Sequence, residues 1–134
     1  MKLENILTLR IVTIIHNAII EYYGGAGGIH SKNMILSSLS APFSSYGKQE
    51  FYLTPIEKAG ILFYSIIKNH GFVDGNKRTA CLMLSLILHI YGYRLTASNL
   101  SIEKMALDIA NNRISKEKVF LWIYHNIGFS NGKE

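Results

Sequence analysis

The segment from residue 80 to residue 93 constrains the fold most, because it is apolar on nearly every side when drawn as a helix. The pattern predicts a helix that starts near Asn76, runs to about Tyr91 and ends at Gly92. Such a helix is stable only when neighbours bury it, and it is shorter than the roughly 20 apolar residues of a membrane span. The sequence therefore predicts an all-α bundle with this helix at its centre.

Apolar residues recur at helical spacing through most of the remaining chain, and capping residues mark where helices begin. The predicted helices are one after Thr8 that stops at Gly24-Gly25, one after Ser31 that ends before Pro42, one from the capping box Thr54-Pro55-Glu57 to Asn69, and two at about residues 102–111 and 116–126. The predicted inward stripe of the first helix is Ile11, Ile14, Ile15, Ala18, Ile19 and Tyr22. Between these helices, residues 24–29 are predicted to form a flexible glycine-rich loop.

Residues 41–54 differ from the helical segments, because they mix turn-forming residues with aromatic ones. The pattern predicts a loop or a small β-hairpin with exposed aromatic side chains. Those side chains are Phe43, Tyr46, Phe51 and Tyr52. With no repeat or linker visible in 134 residues, the chain is predicted to be a single domain, residues 1–134.

Composition limits the function only weakly. The net charge of +5 is compatible with nucleotide phosphates, nucleic acid or an acidic partner, but direct nucleic-acid binding has no support beyond that charge. A single cysteine, Cys81, excludes an intramolecular disulfide and is predicted to be a small core residue. Polar residues interrupt the apolar N-terminal stretch, which argues against a signal peptide and favours a soluble cytoplasmic protein that does not bind membranes.

The nine residues HGFVDGNKR, numbers 70–78, carry the chemistry of the chain. They form a short polar loop between two apolar helices, and the second helix begins with two cations, Lys77 and Arg78. The free N–H groups of a helix start bind phosphate oxygens, and Gly75 lets a ligand approach the backbone closely. Cations at this end of a helix oppose its dipole, which favours an anion bound beside them.

Three other side chains of this segment have predicted roles. Asp74 is its only carboxylate and can hold Mg²⁺, which takes few protein ligands and several phosphate oxygens. His70 can accept a hydroxyl proton near neutral pH. Phe72, between polar neighbours, is predicted to anchor the loop in the core. A base, a metal ligand and a phosphate site together are what phosphoryl or nucleotidyl transfer requires.

The segment resembles the signature of the Fic/Doc family, His-x-Phe-x-(Asp/Glu)-(Gly/Ala)-Asn-(Gly/Lys)-Arg, and is most similar to the Doc branch of toxins from bacterial toxin–antitoxin pairs. The likeness extends over roughly residues 7–125. It implies the helical Fic fold, with His70 as the base, Asp74 on Mg²⁺ and ATP as substrate. It also implies a set of phosphate-binding residues, namely Gly75, Asn76, Lys77 and Arg78, and a flap, carrying Phe51 and Tyr52, that holds the target in extended form.

Two positions separate the branches of this family. Nucleotidyl-transferring Fic proteins carry Gly where this chain has Lys77, and a second Arg where it has Cys81. In the Doc branch the same Lys accompanies a reversed nucleotide, so the resemblance implies transfer of the γ-phosphate to a hydroxyl of elongation factor Tu and inhibition of translation. The alternatives are AMP or UMP transfer from the same site, and a degenerate module that only binds a partner. The degenerate binding module is favoured by the lack of an arginine near Leu86, where Doc relatives use one further along the helix.

Regulation is predicted from a missing pattern. Many Fic proteins inhibit themselves through a Ser/Thr-x-x-x-Glu-(Gly/Asn) helix, and the nearest match here, residues 130–134, lacks the final residue. We therefore expect restraint by a separate antitoxin. The basic charge and apolar composition of the chain suggest an acidic and partly disordered partner.

Overall fold

The computed structural model describes residues 2–130, which fold into a helical bundle with two small antiparallel sheets. The helices are α1 (Leu9–Tyr23), α2 (Lys32–Ser40), α3 (Pro55–Asn69), α4 (Asn76–Ile90), α5 (Asn99–Ala110) and α6 (Lys116–Tyr124). The strands are β1 (Ser45–Tyr46), β2 (Gln49–Glu50), β3 (Tyr93–Leu95) and β4 (Ile127–Phe129). This architecture confirms the predicted all-α Fic-type fold with a small hairpin. None of the helices in the described part of the chain is long and apolar enough to cross a bilayer.

The core lies between α3 and α4, which pack against each other along their length. α2, α5 and α6 cover α3, and α1 covers α4. α4 is less enclosed than its apolar sequence predicts, since Leu82 is 48% exposed and Ser85 and His89 on the same side are also exposed. The elements that pack on α4, namely α1, α3 and β3, therefore leave one of its sides open to solvent.

The predicted helix starts are confirmed by their capping contacts. The side chains of Thr8, Ser31 and Ser115 each accept a hydrogen bond from a backbone N–H in the first turn of the following helix. Thr54 and Glu57 form the predicted reciprocal capping box at the start of α3. α5 begins three residues before the predicted start, because Ser98 caps it.

The predicted inward stripe of α1 is confirmed in part: Ile19 is buried, and Ile11 and Ile15 are half-buried against the core. Val12, His16 and Ile19 are the buried residues of this helix, whereas Ile14 is 58% exposed and Tyr22 is 82% exposed. The prediction assumed that apolar residues alone mark the buried side. In the structure a histidine belongs to that side, because its ring finds a hydrogen-bond partner in the loop between α3 and α4.

The two sheets are separate antiparallel pairs of strands. β1 and β2 pair Ser45 with Glu50 and Tyr46 with Gln49, which confirms the predicted hairpin. β3 and β4 were not predicted, because strands of three residues show too little alternation and their pairing partners are over 30 residues apart. They lie beyond the C-terminal end of α4. The predicted match to an inhibitory motif, residues 130–134, falls outside the described residues except for its first position.

Candidate active site

The loop of residues 70–78, called the motif loop from here on, connects α3 to α4 and begins with a left-handed residue. His70 ends α3 with φ 50° and ψ 52°, a conformation in which few residues other than glycine are found. Its backbone N–H still donates to the Ile66 carbonyl oxygen, and its side chain is exposed. The abrupt turn therefore places an accessible imidazole at the lip of the loop, where the predicted base was expected.

Buried side chains hold the middle of the motif loop. Phe72 is 2% exposed, and Asn76 is 4% exposed. The Asn76 Oδ1 accepts a hydrogen bond from the Phe72 N–H (3.0 Å), and its Nδ2 donates to the Phe72 carbonyl oxygen (2.9 Å). The side chain of Asn76 therefore holds the loop. Its backbone N–H, at the start of α4, is placed for the predicted phosphate contact.

The start of α4 has features that favour the binding of an anion. Gly75 is its N-cap with φ 79°, a conformation that an L-residue with a side chain rarely adopts, and no side chain caps the helix. The first N–H groups of α4 thus lack the capping partner that the other helix starts have. Lys77 and Arg78 are exposed in this first turn. The dipole and the two cations together favour an anion with several oxygens, such as a phosphate.

Asp74 lies just before this helix start. Its Oδ1 accepts a hydrogen bond from the Gly75 N–H (2.8 Å) and its Oδ2 accepts one from the Ala26 N–H (3.3 Å). These two hydrogen bonds, of which the one from Gly75 has the larger effect, lower the pKa of the carboxyl group below its ordinary value of 3.8. The charges of Arg78 and His70 lower this pKa further. The side chain is therefore an anion at neutral pH.

The donor set fits a magnesium ion that arrives with a nucleotide. Within residues 2–130, no group of three or more His, Cys, Asp or Glu side chains is placed so that it could hold a metal ion. Mg²⁺ is commonly bound by one or two carboxylates, with phosphate oxygens and water completing the shell. The exposed Asp74 carboxylate supplies one such ligand beside the anion site.

The glycine-rich residues 24–30 pair with the motif loop. The Val73 N–H donates to the Gly28 carbonyl oxygen (3.1 Å), and the Gly71 carbonyl oxygen accepts from the N–H groups of His30 (2.8 Å) and Ser31 (2.9 Å). A side chain at Gly71 would meet Ile35, since a Cβ placed there lies 2.5 Å from the Ile35 Cγ1. The predicted flexible loop is thus fixed in backbone hydrogen bonds that position the motif loop.

Sequence reasoning missed two residues of α1 that contact the site. His16 is 1% exposed, its Nε2 lies 2.7 Å from the Asp74 carbonyl oxygen, and its ring stacks on Phe72 at 3.8 Å. The Arg78 guanidinium lies 4.3 Å from the centre of the Tyr23 ring, a cation–π contact. The only signal in the sequence was spacing, since His16 and Tyr23 follow the apolar Val12 by four and eleven positions and so share one side of the predicted helix.

The predicted flap is the β1–β2 hairpin with the residues that follow it, residues 45–53. Phe51 is 57% exposed, as expected, and its N–H donates to the Ser44 carbonyl oxygen. The expectation of an exposed Tyr52 was wrong. It is 8% exposed, because its ring packs edge-on against Phe120 and its hydroxyl accepts a hydrogen bond from Lys116 (3.0 Å). Tyr52 therefore fastens the end of the flap to α6.

Comparisons with known proteins match the part of the chain that contains the motif loop. The sequence profile of the Fic/DOC family matches residues 6–88, more than half of the chain, and includes the whole motif loop. The chain is 32% identical over 75 residues to "Toxin Doc" of Mycolicibacterium smegmatis, which covers 56% of this chain and 58% of that protein. It is 46% identical over 41 residues to "Protein adenylyltransferase fic-1" of Caenorhabditis elegans and of Caenorhabditis briggsae. That match covers 31% of this chain and 8% of each nematode protein, so the chain spans under two thirds of all three relatives.

Proposed function

The chain belongs to the Fic/DOC family, and we propose that it transfers the γ-phosphoryl group of ATP to a hydroxyl group of a target protein. The observation that carries the proposal is the uncapped start of α4 at Gly75, flanked by two exposed cations and by the exposed His70. A phosphate site and a base at the two ends of one short loop suit transfer between a nucleotide and a hydroxyl group.

Each residue then has a role that its position supports. His70 accepts the proton of the attacking target hydroxyl. The N–H groups at the start of α4, with Lys77 and Arg78, bind and neutralise the phosphate oxygens. Magnesium held by Asp74 and the nucleotide would supply further neutralisation of the charge on the phosphates. Asn76 and Phe72 keep the loop in the geometry that the other residues need.

Transfer of the γ-phosphate, rather than AMP, is supported by residues 77 and 81. Lys77 stands where the nucleotidyl-transferring branch has Gly, and Cys81 stands where that branch has a second Arg. Burial raises the pKa of the Cys81 thiol to about 11, and the charge of Glu103 contributes in the same direction. The thiol therefore stays neutral at physiological pH and supplies neither a cation nor a nucleophile to the site.

The similarity to Toxin Doc supports a role as a toxin that stops growth. By resemblance, the proposed target is elongation factor Tu in the cytoplasm, and the proposed partner is an acidic, partly disordered antitoxin that restrains the enzyme. The exposed Phe51 and the hairpin beside it offer a surface on which an extended segment of the target could pair with the flap.

The experiment that tests the reaction uses ATP labelled at either the α- or the γ-phosphate. The protein is incubated with elongation factor Tu and Mg²⁺, and label on the factor is measured. We expect label only from the γ-position, and none with the variant His70→Asn. Asparagine tolerates the left-handed backbone of residue 70, so this variant removes the base with little strain. Label only from the α-position would overturn the phosphoryl-transfer proposal.

AMP transfer from the same site is the second candidate, and its support is the identity with adenylyltransferases of nematodes. A degenerate binding module is the third. The nearest later arginine, Arg94, lies on β3, roughly 20 Å from the motif loop at a rise of 1.5 Å per helical residue. Growth arrest that persists unchanged in His70→Asn cells would favour the binding module over both transfer reactions.

A further inference from the structure

The peptide unit between Asp74 and Gly75 is held from both of its sides. Its carbonyl oxygen lies 2.7 Å from the Nε2 of His16, and its N–H donates to the Oδ1 of the Asp74 side chain at 2.8 Å. A rotation of this peptide would therefore move the carboxylate that its N–H binds. The same rotation would change the left-handed turn at Gly75, from which α4 starts.

We propose that His16 is a positioning residue for the transfer reaction. Its Nε2–H fixes the Asp74–Gly75 peptide, and through this peptide it sets both the direction of the Asp74 carboxylate and the start of α4. The proposal rests on the proposed function, because it assigns His16 to the geometry of that site. His16 itself, being 1% exposed, does not touch substrate.

The chemistry of the contact fixes which ring nitrogen carries the proton. A carbonyl oxygen only accepts hydrogen bonds, so the Nε2 of His16 must be the donor. This requirement excludes the neutral tautomer whose proton is on Nδ1. The tautomer is therefore a direct and measurable consequence of the contact.

The surroundings of His16 explain why a histidine suits this position better than a purely apolar residue. Its ring stacks on Phe72 with an angle of 8° between the planes, which an apolar ring could do equally well. Burying an imidazole is costly unless its polar atoms are hydrogen-bonded, and the bond to Asp74 offsets that cost. The histidine also lies beneath the turn, with ring atoms 3.6 Å from where a Cβ at Gly75 would stand.

Two variants separate the hydrogen bond from the packing. His16→Phe keeps an aromatic ring to stack on Phe72 but has no donor. His16→Gln loses the ring but retains an amide N–H about as far from the backbone as Nε2. Ile109→Ala is the matched control for stability, because Ile109 is fully buried on α5, a helix that packs against α3.

The kinetic test compares the four proteins for kcat, for the KM of ATP and for the Mg²⁺ concentration that gives half of full activity. We expect His16→Phe to lose about tenfold to a hundredfold in kcat, as small misplacements of reacting groups do. It should also need more Mg²⁺, while His16→Gln retains most of the activity and Ile109→Ala retains kcat. Equal losses in His16→Phe and His16→Gln, or none in His16→Phe, would overturn the proposal.

A spectroscopic test does not depend on turnover. Long-range ¹H–¹⁵N correlation spectra of the wild-type protein should show a proton on Nε2 of His16, and the Gly75 amide signal should shift in His16→Phe but not in Ile109→Ala. A His16 with its proton only on Nδ1 would overturn the proposal, even if His16→Phe fails to fold. Absence of transfer by the wild-type protein would instead contradict the proposed function, and the Gly75 signal would still decide whether His16 positions the turn.

Discussion

The motif loop and the flap are both short irregular segments, and they lie at opposite ends of the same helix, α3. The motif loop follows α3 and is held by side chains inside the protein, with Phe72 and Asn76 almost fully buried. The flap precedes α3 and has strands of only two residues. Tyr46 and Phe51 of the flap are mostly exposed, and only Tyr52 at its end is buried.

The difference between the segments matches what the proposed reaction asks of each. Transfer of a phosphoryl group requires a base, a carboxylate and backbone N–H groups in fixed relative positions, and buried anchors provide this. Docking an extended target segment requires an accessible strand edge, which a loosely attached hairpin provides. Variants on the two segments should therefore differ in what they change: stability and kcat in the motif loop, the KM of the target in the flap.

The largest effect on stability is expected for Asn76→Ala in the motif loop. The change would leave the N–H and the carbonyl oxygen of Phe72 buried without their partner. With a cost of roughly 1–3 kcal/mol for each buried polar group left unsatisfied, we expect a loss of about 2–4 kcal/mol in the free energy of unfolding. Urea denaturation followed by circular dichroism measures this loss.

Asn126→Ala is the control for this variant. The side-chain amide of Asn126 also donates to a carbonyl oxygen four residues earlier, that of Trp122. This is a single hydrogen bond, whereas Asn76 makes two, and Asn126 is only half-buried. We expect a loss of about 1 kcal/mol or less. If the two variants were destabilised equally, buried anchoring would not distinguish the motif loop from other polar contacts.

The next largest effect is expected for Lys58→Met, which releases the flap. The Nζ of Lys58 donates to the carbonyl oxygens of Pro42 (3.1 Å) and Tyr52 (2.6 Å), one on each side of the hairpin, and to Glu50 (3.1 Å). Methionine keeps most of the apolar stem and loses all three bonds. We expect a loss of about 1–2 kcal/mol in the free energy of unfolding, and faster hydrogen exchange of the Phe51 N–H.

Glu50→Gln separates the two kinds of contact that Lys58 makes. Glu50 is exposed, and ion pairs at exposed carboxylates contribute little to stability. The variant should therefore leave the exchange rate of the Phe51 N–H nearly unchanged. An equal increase in both variants would mean that the ion pair, rather than the two backbone carbonyl groups, holds the flap.

The sequence predicted the helices well because their starts carry local signals. Thr8, Ser31, Thr54 and Ser115 each cap a helix through a neighbour three residues away, so no distant contact is needed to recognise them. β3 and β4 could not be predicted in this way, since each needs the other, more than 30 residues away, for its strand hydrogen bonds. Tyr52 was misplaced for a related reason: its burial depends on Lys116 and Phe120, which are distant in sequence.

The candidate site shows the same contrast between features with local signals and features that depend on residues distant in sequence. The motif loop was recognised because its functional groups are neighbours in sequence, from His70 to Arg78. Phe72 was recognised as an anchor of the loop, but the support from α1 was not, because His16 is 58 residues from Asp74. The resemblance assigned Asn76 to phosphate, and the contact of its side chain with the backbone of Phe72 became visible only in the structure.

A smaller effect on stability is expected when the pH is lowered. It depends on Asp74, an exposed residue of the motif loop. The pKa of Asp74 is lowered in the folded protein, so the native state binds fewer protons here than the unfolded chain. Its contribution is complete above the ordinary value of 3.8 and is lost as pH falls through the lower folded value. Melting temperatures of the wild type and of Asp74→Asn, measured from pH 6 to pH 2, should therefore converge below about pH 4. A constant difference would mean that the hydrogen bonds from Gly75 and Ala26 do not favour the carboxylate.

The smallest effect on stability, and the sharpest contrast with the motif loop, is expected for Phe51→Ser. Phe51 is 57% exposed, so the free energy of unfolding should change by less than about 0.5 kcal/mol. Its backbone N–H still donates to Ser44 after the change, so the hairpin keeps its pairing. If the flap docks the target, the variant should raise the KM for the target protein and leave kcat and the KM of ATP unchanged. Leu121→Ser is the matched control, because Leu121 is an apolar residue of similar exposure, 58%, that belongs to α6 and not to the hairpin. An unchanged KM in Phe51→Ser would remove the flap from target recognition, while a lower kcat would show that the flap, like the motif loop, shapes the reacting groups.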